Sequence, residues 1–123
     1  MKSTMSIGHE KLDVYQLAIT YVAWVVKVSL KLKGDNRHAK DQWLRASQSI
    51  PLNIAEGNGK TTSADRRRFF EIARGSALEC AAIQDVVEVL GILEPDESHQ
   101  QKQQLDRIAA MLSKLGGRGF RSQ

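Results

Sequence analysis

Residues 42–57 read Gln42-Trp43-Leu44-Arg45-Ala46-Ser47-Gln48-Ser49-Ile50-Pro51-Leu52-Asn53-Ile54-Ala55-Glu56-Gly57. Trp43, Ala46, Ile50 and Ile54 recur at steps of three and four, so they share one face of a helix. That helix is expected from about His38 to Glu56, with Gly57-Asn58-Gly59 as its stop. Pro51 lies inside it. Proline removes one backbone donor and crowds the carbonyl four residues back, at Ser47, so a kink or a junction of two helical pieces is expected. Ser49, Asn53 and Glu56 line up beside the apolar stripe. Such a strip serves either recognition or a buried hydrogen-bond network that repairs the backbone around Pro51. The structural role is the stronger reading, with Glu79 as the expected partner.

The same periodicity extends on both sides. Upstream, Val14, Ala18, Tyr21, Val25, Val28 and Leu32 mark a helix from about His9 to Leu32, stopped at Lys33-Gly34-Asp35-Asn36. Downstream, Thr61-Thr62-Ser63 offers N-cap hydroxyls to a third helix reaching about Leu90. Its stripe is Phe69, Ala73, Ser76, Cys80, Ile83, Val87 and Leu90. Gly75, Ser76, Ala77, Ala81 and Ala82 would let a neighbouring helix come close. Pro95 opens a fourth helix, from about Asp96 to Leu115, with Leu105, Ile108, Leu112 and Leu115 on one face. No useful period-2 alternation occurs. The expected fold is therefore all-α, an antiparallel up-down four-helix bundle over residues 9–115. A flexible N-terminus (1–8) and a flexible basic tail (116–123) would flank it. Trp24 and Phe70 flank the stripes of their helices, which suggests a further buried contact between copies, or else half-exposed aromatics.

At 123 residues the chain suffices for one core. Net charge is +4, unevenly spread. Residues 27–74 carry 11 basic and 5 acidic side chains, residues 75–106 carry 1 and 7, and residues 107–123 carry 4 and none. Such polarity suits a polyanion or the head-to-tail assembly of copies. Cys80, the single cysteine, excludes an intrachain disulfide and sits on an apolar face, where a buried inert thiol is expected. Neither a signal peptide nor a stretch apolar enough to span a bilayer is visible, so no membrane contact and a cytoplasmic location are expected.

Catalytic constellations are missing from the pattern. His9, His38 and His99 are widely separated and no Glu-x-x-His occurs, so no metal and no cofactor are expected. No arginine is followed five residues later by histidine, the spacing of some helical-bundle ribonucleases. Gly57-Asn58-Gly59-Lys60-Thr61-Thr62 lacks the upstream glycine and preceding strand of a phosphate loop and reads as a helix-helix turn. Arg66-Arg67-Arg68 is the one dense basic run. It opens a helix, where the dipole disfavours cations, so another benefit is expected there. Arg67 and Arg74 share a face at a seven-residue step, and Lys60 and Lys40 are expected at the same bundle end.

The stretch 42–57 resembles the signature of the four-helix bundle proteins encoded in 23S rRNA intervening sequences, the S23 family. Ser49-Ile50-Pro51-Leu52-Asn53-Ile54-Ala55-Glu56-Gly57 matches its Ser-Ile-Pro-x-Asn-Ile-Ala-Glu-Gly. Phe69-Phe70-Glu71-Ile72-Ala73-Arg74-Gly75-Ser76, then Glu79 and Leu90-Gly91, extend the likeness over roughly residues 8 to 115. Trp43-Leu44 stands where the family usually has Leu-Arg. The resemblance implies a ring-shaped homo-oligomer, expected to be a pentamer, with no established enzymatic activity. It also implies kinship with the accessory protein of diversity-generating retroelements, which binds a reverse transcriptase and nucleic acid through a basic surface. The expected function is a non-enzymatic oligomeric module binding RNA, DNA or a nucleic-acid-processing protein. Lys60, Arg66, Arg67 and Arg74 would contact phosphates, with Arg118 and Arg121 on the tail. The alternative is a purely protein-protein scaffold assembled by charge complementarity.

Overall fold

The computed structural model of the protein describes residues 9–116, with side chains from Asp13 onward. Four helices follow in order: α1 (His9–Ser29), α2 (Arg37–Asn58), α3 (Ser63–Val89) and α4 (Pro95–Leu115). A short 3-10 turn, Gly34–Asn36, precedes α2. The links are too short to cross the length of a 20-residue helix, about 30 Å, so successive helices run antiparallel. Helix α1 packs on α2 and α4, and α3 packs on α2 and α4, while the backbones of the diagonal pairs stay apart and α1 meets α3 only through side chains in the core. The expected flexible termini fall outside the described residues, apart from Gly116.

Local chemistry accounts for the boundaries. Thr62 caps α3, its hydroxyl accepting from the Asp65 N–H at 3.1 Å. Pro95 opens α4. Gly91 turns the chain out of α3 at φ +77°, a conformation natural to glycine. Helix α2 runs unbroken through Pro51, so it is one helix and not two pieces.

The core is the meeting of the four stripes, with Val14, Val25, Ile50, Ile54, Cys80, Val87, Ile108 and Leu112 all buried. In α3 the buried phase is Phe70, Ala73, Ala77, Cys80, Gln84 and Val87, at steps of three and four. Phe70 rather than Phe69 therefore faces inward, and Leu90 is exposed. The small residues divide. Ala73, Ser76 and Ala77 are buried, Ser76 against Ser49 of α2, while Gly75 and Ala82 are exposed. Close approach depends on Gly57, where a Cβ would lie 2.8 Å from the Phe70 ring and 3.1 Å from the Phe69 Cβ.

A buried polar chain crosses this core and touches every helix. Trp43 Nε1 donates to the Tyr21 hydroxyl at 3.2 Å. That hydroxyl donates to Gln84 Oε1 at 2.6 Å. Gln84 Nε2 donates to the Ser98 carbonyl at 3.1 Å and to its hydroxyl at 3.0 Å. Ser98 donates on to Glu88, which with Asp85 pairs with Lys102 at the surface. Trp24 stands edge-on to Trp43 at 5.4 Å and donates to Glu97 Oε2 at 2.7 Å. Phe70 is thus buried within the protomer, and Trp24 is half-exposed. Trp43, where the family pattern has leucine, supplies the first donor of the chain.

Two outcomes are expected. Gly57→Val should lower stability by about 1–3 kcal/mol through overpacking against Phe70. Gly75→Ala, with nothing within 4 Å of its Cβ, should raise it by about 0.5–1 kcal/mol. Urea unfolding midpoints check both. Separately, burial pushes the Cys80 thiol from 9.0 up to about 12, and burial also raises the Tyr21 phenol beside it. The folded state then keeps a proton that the unfolded chain releases. Stability should be level below about pH 9 and fall above it, by up to about 1.4 kcal/mol per pH unit from Cys80. Cys80→Ala should flatten the slope between pH 9 and 10 in the same unfolding experiment.

Candidate nucleic-acid interface

The end of α2, the turn after it and the first turns of α3 bring Lys60, Arg66, Arg67 and Arg68 together, with Arg74 two turns further along α3. Arg66 is committed to the turn. Its Nη1 donates to the carbonyls of Lys60 and Thr61, both at 3.1 Å, and Nη2 to the Ser63 hydroxyl at 3.4 Å. This is the benefit that offsets placing a cation at a helix start: the guanidinium ties down carbonyls that no helix would satisfy. Lys60 Nζ sits 3.1 Å from Glu56 Oε2 and 5.1 Å from the Phe69 ring centroid. The Arg68 guanidinium lies 4.8 Å from the same centroid, so Phe69 holds two cations at the surface.

Arg67 is exposed and has no such ties among the described residues. With Ser63, Arg66, Leu115 and Gly116 it lines a recess of about 230 Å³ between the start of α3 and the end of α4. The recess is polar, next to the positive end of the α3 dipole. Arg74 is half-buried, and its Nε is buried with no hydrogen-bond partner among the described residues. Arg118 and Arg121 lie outside the described residues. The described chain ends at Gly116, where a Cβ would lie 3.6 Å from Arg67 Cγ.

Lys40 belongs elsewhere. It sits in the first turn of α2, about a helix length from Lys60, because the two occupy opposite ends of one helix. The polar strip also regroups. Asn53 Nδ2 donates to the Ser49 carbonyl at 2.8 Å and to its hydroxyl at 3.0 Å, and Ser76 Oγ donates to Ser49 Oγ at 2.8 Å. Ser76 therefore takes the place expected of Glu79, which is exposed, and Glu56 turns to Lys60. Gln84 and Ser98 were not legible as functional positions. The signal for Gln84 was its place in the three-four phase that begins at Phe70.

Among the described residues, no group of three or more His, Cys, Asp or Glu side chains could hold a metal ion. Among them, too, no helix is long and apolar enough to cross a membrane.

Residues 10–114 match the family described as 23S rRNA-intervening sequence protein. The chain belongs to this family. Among solved structures it is similar to a protein of unknown function from the S23 ribosomal protein family of Bacteroides thetaiotaomicron VPI-5482. The two share 17% identity at a TM-score of 0.79, over 87% of this chain and 97% of the other. That likeness establishes the fold. A comparison with curated proteins gives no match.

The geometry separates Arg66 from its neighbours. Arg66→Ala should cost about 1–2 kcal/mol by leaving turn carbonyls unpaired, whereas Arg67→Ala should stay within about 0.5 kcal/mol of the parent. Thermal unfolding of the two variants side by side checks this.

Proposed function

We propose that the protein is a non-enzymatic, oligomeric helical module of the cytoplasm that binds nucleic acid, or a protein that processes it, through the basic end of the bundle. The observation that carries this reading is the gathering of Lys60, Arg66 and Arg67 around one turn, with Arg74 two helical turns along α3 and Arg67 exposed at the edge of a polar recess. Arg118 and Arg121 would add to it from the chain that continues beyond Gly116. From Glu56 to Arg74 five basic residues stand against three acidic ones, Glu56, Asp65 and Glu71, which gives this segment a positive field. Its contacts would be to phosphates and carry little base preference. The membership in the intervening-sequence family supports the reading, as does the implied kinship with a retroelement accessory protein. A protein-protein scaffold without nucleic-acid affinity is the second reading, favoured by apolar faces on the outside of α1 and α3.

Fluorescence anisotropy with labelled single-stranded RNA and DNA of mixed sequence tests it. Affinity should fall as salt rises. Replacing Arg67 and Arg74 by Ala should weaken binding to all sequences alike and lower the salt slope by about 0.7 per lost phosphate contact. Adding Arg118→Ala and Arg121→Ala should lower it further. Unchanged affinity in these variants would remove this surface from the function, and no affinity at low salt would leave the scaffold reading.

A further inference from the structure

Phe70 fills the core at the basic end of the bundle, and its neighbour Phe69 is half-buried at the edge. The Phe69 Cβ packs against Gly57, where an added Cβ would lie 3.1 Å from it. Its ring carries two cations, Lys60 Nζ at 5.1 Å and the Arg68 guanidinium at 4.8 Å from the centroid. Lys60 reaches the ring from the turn before α3, and Arg68 from the first turns of α3 itself. Arg66, bonded to the carbonyls of Lys60 and Thr61, fixes that turn and with it the placing of Lys60. Arg68 is exposed and has no hydrogen bond or ion pair among the described residues.

A cation on an exposed ring adds little to stability. The arrangement does gather at one point the two things that a protein offers a single strand. One is a π-face on which a base can stack, and the other is positive charge for the phosphates on either side. Charge alone does not choose between strands. A duplex carries its phosphates more densely than a single strand, so a purely basic surface holds it at least as well. A ring does choose. The bases of a duplex turn their faces to one another and show a protein only their edges, whereas an unpaired base has a face free.

We infer that Phe69, with Lys60 and Arg68 over its ring, is a stacking site for one unpaired base, so that the basic end takes single-stranded nucleic acid in preference to duplex. This rests on the nucleic-acid reading proposed above and narrows its ligand. Lys60 and Arg68 are then within reach of the flanking phosphates. The identity of the base matters little, because every base has a π-face.

The test compares ligands that differ in their bases and not in their backbone charge. Fluorescence anisotropy is read with a labelled oligothymidylate, an abasic strand of the same length, and the oligothymidylate paired in a duplex. The parent should bind the single strand about tenfold more tightly than the abasic strand, the size of one stacked base, and more tightly than the duplex. Phe69→Leu keeps an apolar side chain against Gly57 and removes the ring. It should lose that factor on the single strand, leave the abasic strand and the duplex unchanged, and keep the slope of log affinity against log salt. Phe69→Tyr should retain the preference. Arg67→Ala should do the converse, lowering the slope and weakening all three ligands alike. Thermal unfolding confirms that each variant folds, and the comparison on the parent needs no variant. Equal affinity of the parent for base-bearing and abasic strands would overturn the stacking site and leave the nucleic-acid reading standing. A preference that survives in Phe69→Leu would overturn the assignment to Phe69. No affinity for any strand at low salt would remove the nucleic-acid reading and this inference with it.

Discussion

The hydrogen bonds that run from Trp43 through Tyr21 and Gln84 to Ser98 constrain this bundle more than any apolar contact does. Apolar stripes tolerate sliding, since a leucine shifted by a turn still finds an oily surface. A buried indole, phenol and carboxamide do not, because each loses a partner when a helix moves. One member comes from each helix, so the chain fixes the level of all four at once. It also leads outward. Ser98, Glu88 and Lys102 carry the same network to the surface between α3 and α4.

The basic end is built on a different compromise. Arginines opening a helix oppose its dipole. Arg66 makes that tolerable by spending its donors on the turn that precedes α3, and Asp65 and the Thr62 hydroxyl serve the first-turn positions. Phe69 then holds Lys60 and Arg68 against its ring. What remains unengaged is Arg67, along with part of Arg74. The site's charge is thus unequal in kind: some cations build the platform and others project from it.

Helix number, helix ends and most of the core were legible because glycine and proline punctuate the chain and the apolar residues keep a steady three-four step. The errors arose where that step is ambiguous. Phe69 and Phe70 are adjacent and equally apolar, and each is in three-four step with Ala73, so the apolar pattern does not choose between them. Gln84 is polar and so invisible to an apolar pattern, although its position is in phase. Glu79 was the expected partner of the polar strip, yet it is exposed and the smaller Ser76 meets Ser49. Lys40 was misplaced because distance along a helix becomes distance in space. The committed and uncommitted arginines could not be told apart, since that depends on which carbonyls the turn exposes.

Cys80 has a consequence of its own. It is sealed in the core beside Tyr21, its thiolate is strongly disfavoured, and the sequence contains no second cysteine to meet it. The folded chain therefore offers thiol reagents no accessible thiol among the described residues. A cysteine engineered onto any outer helix face would be the sole reactive thiol, so a dye or spin label could be placed there without first removing the native one.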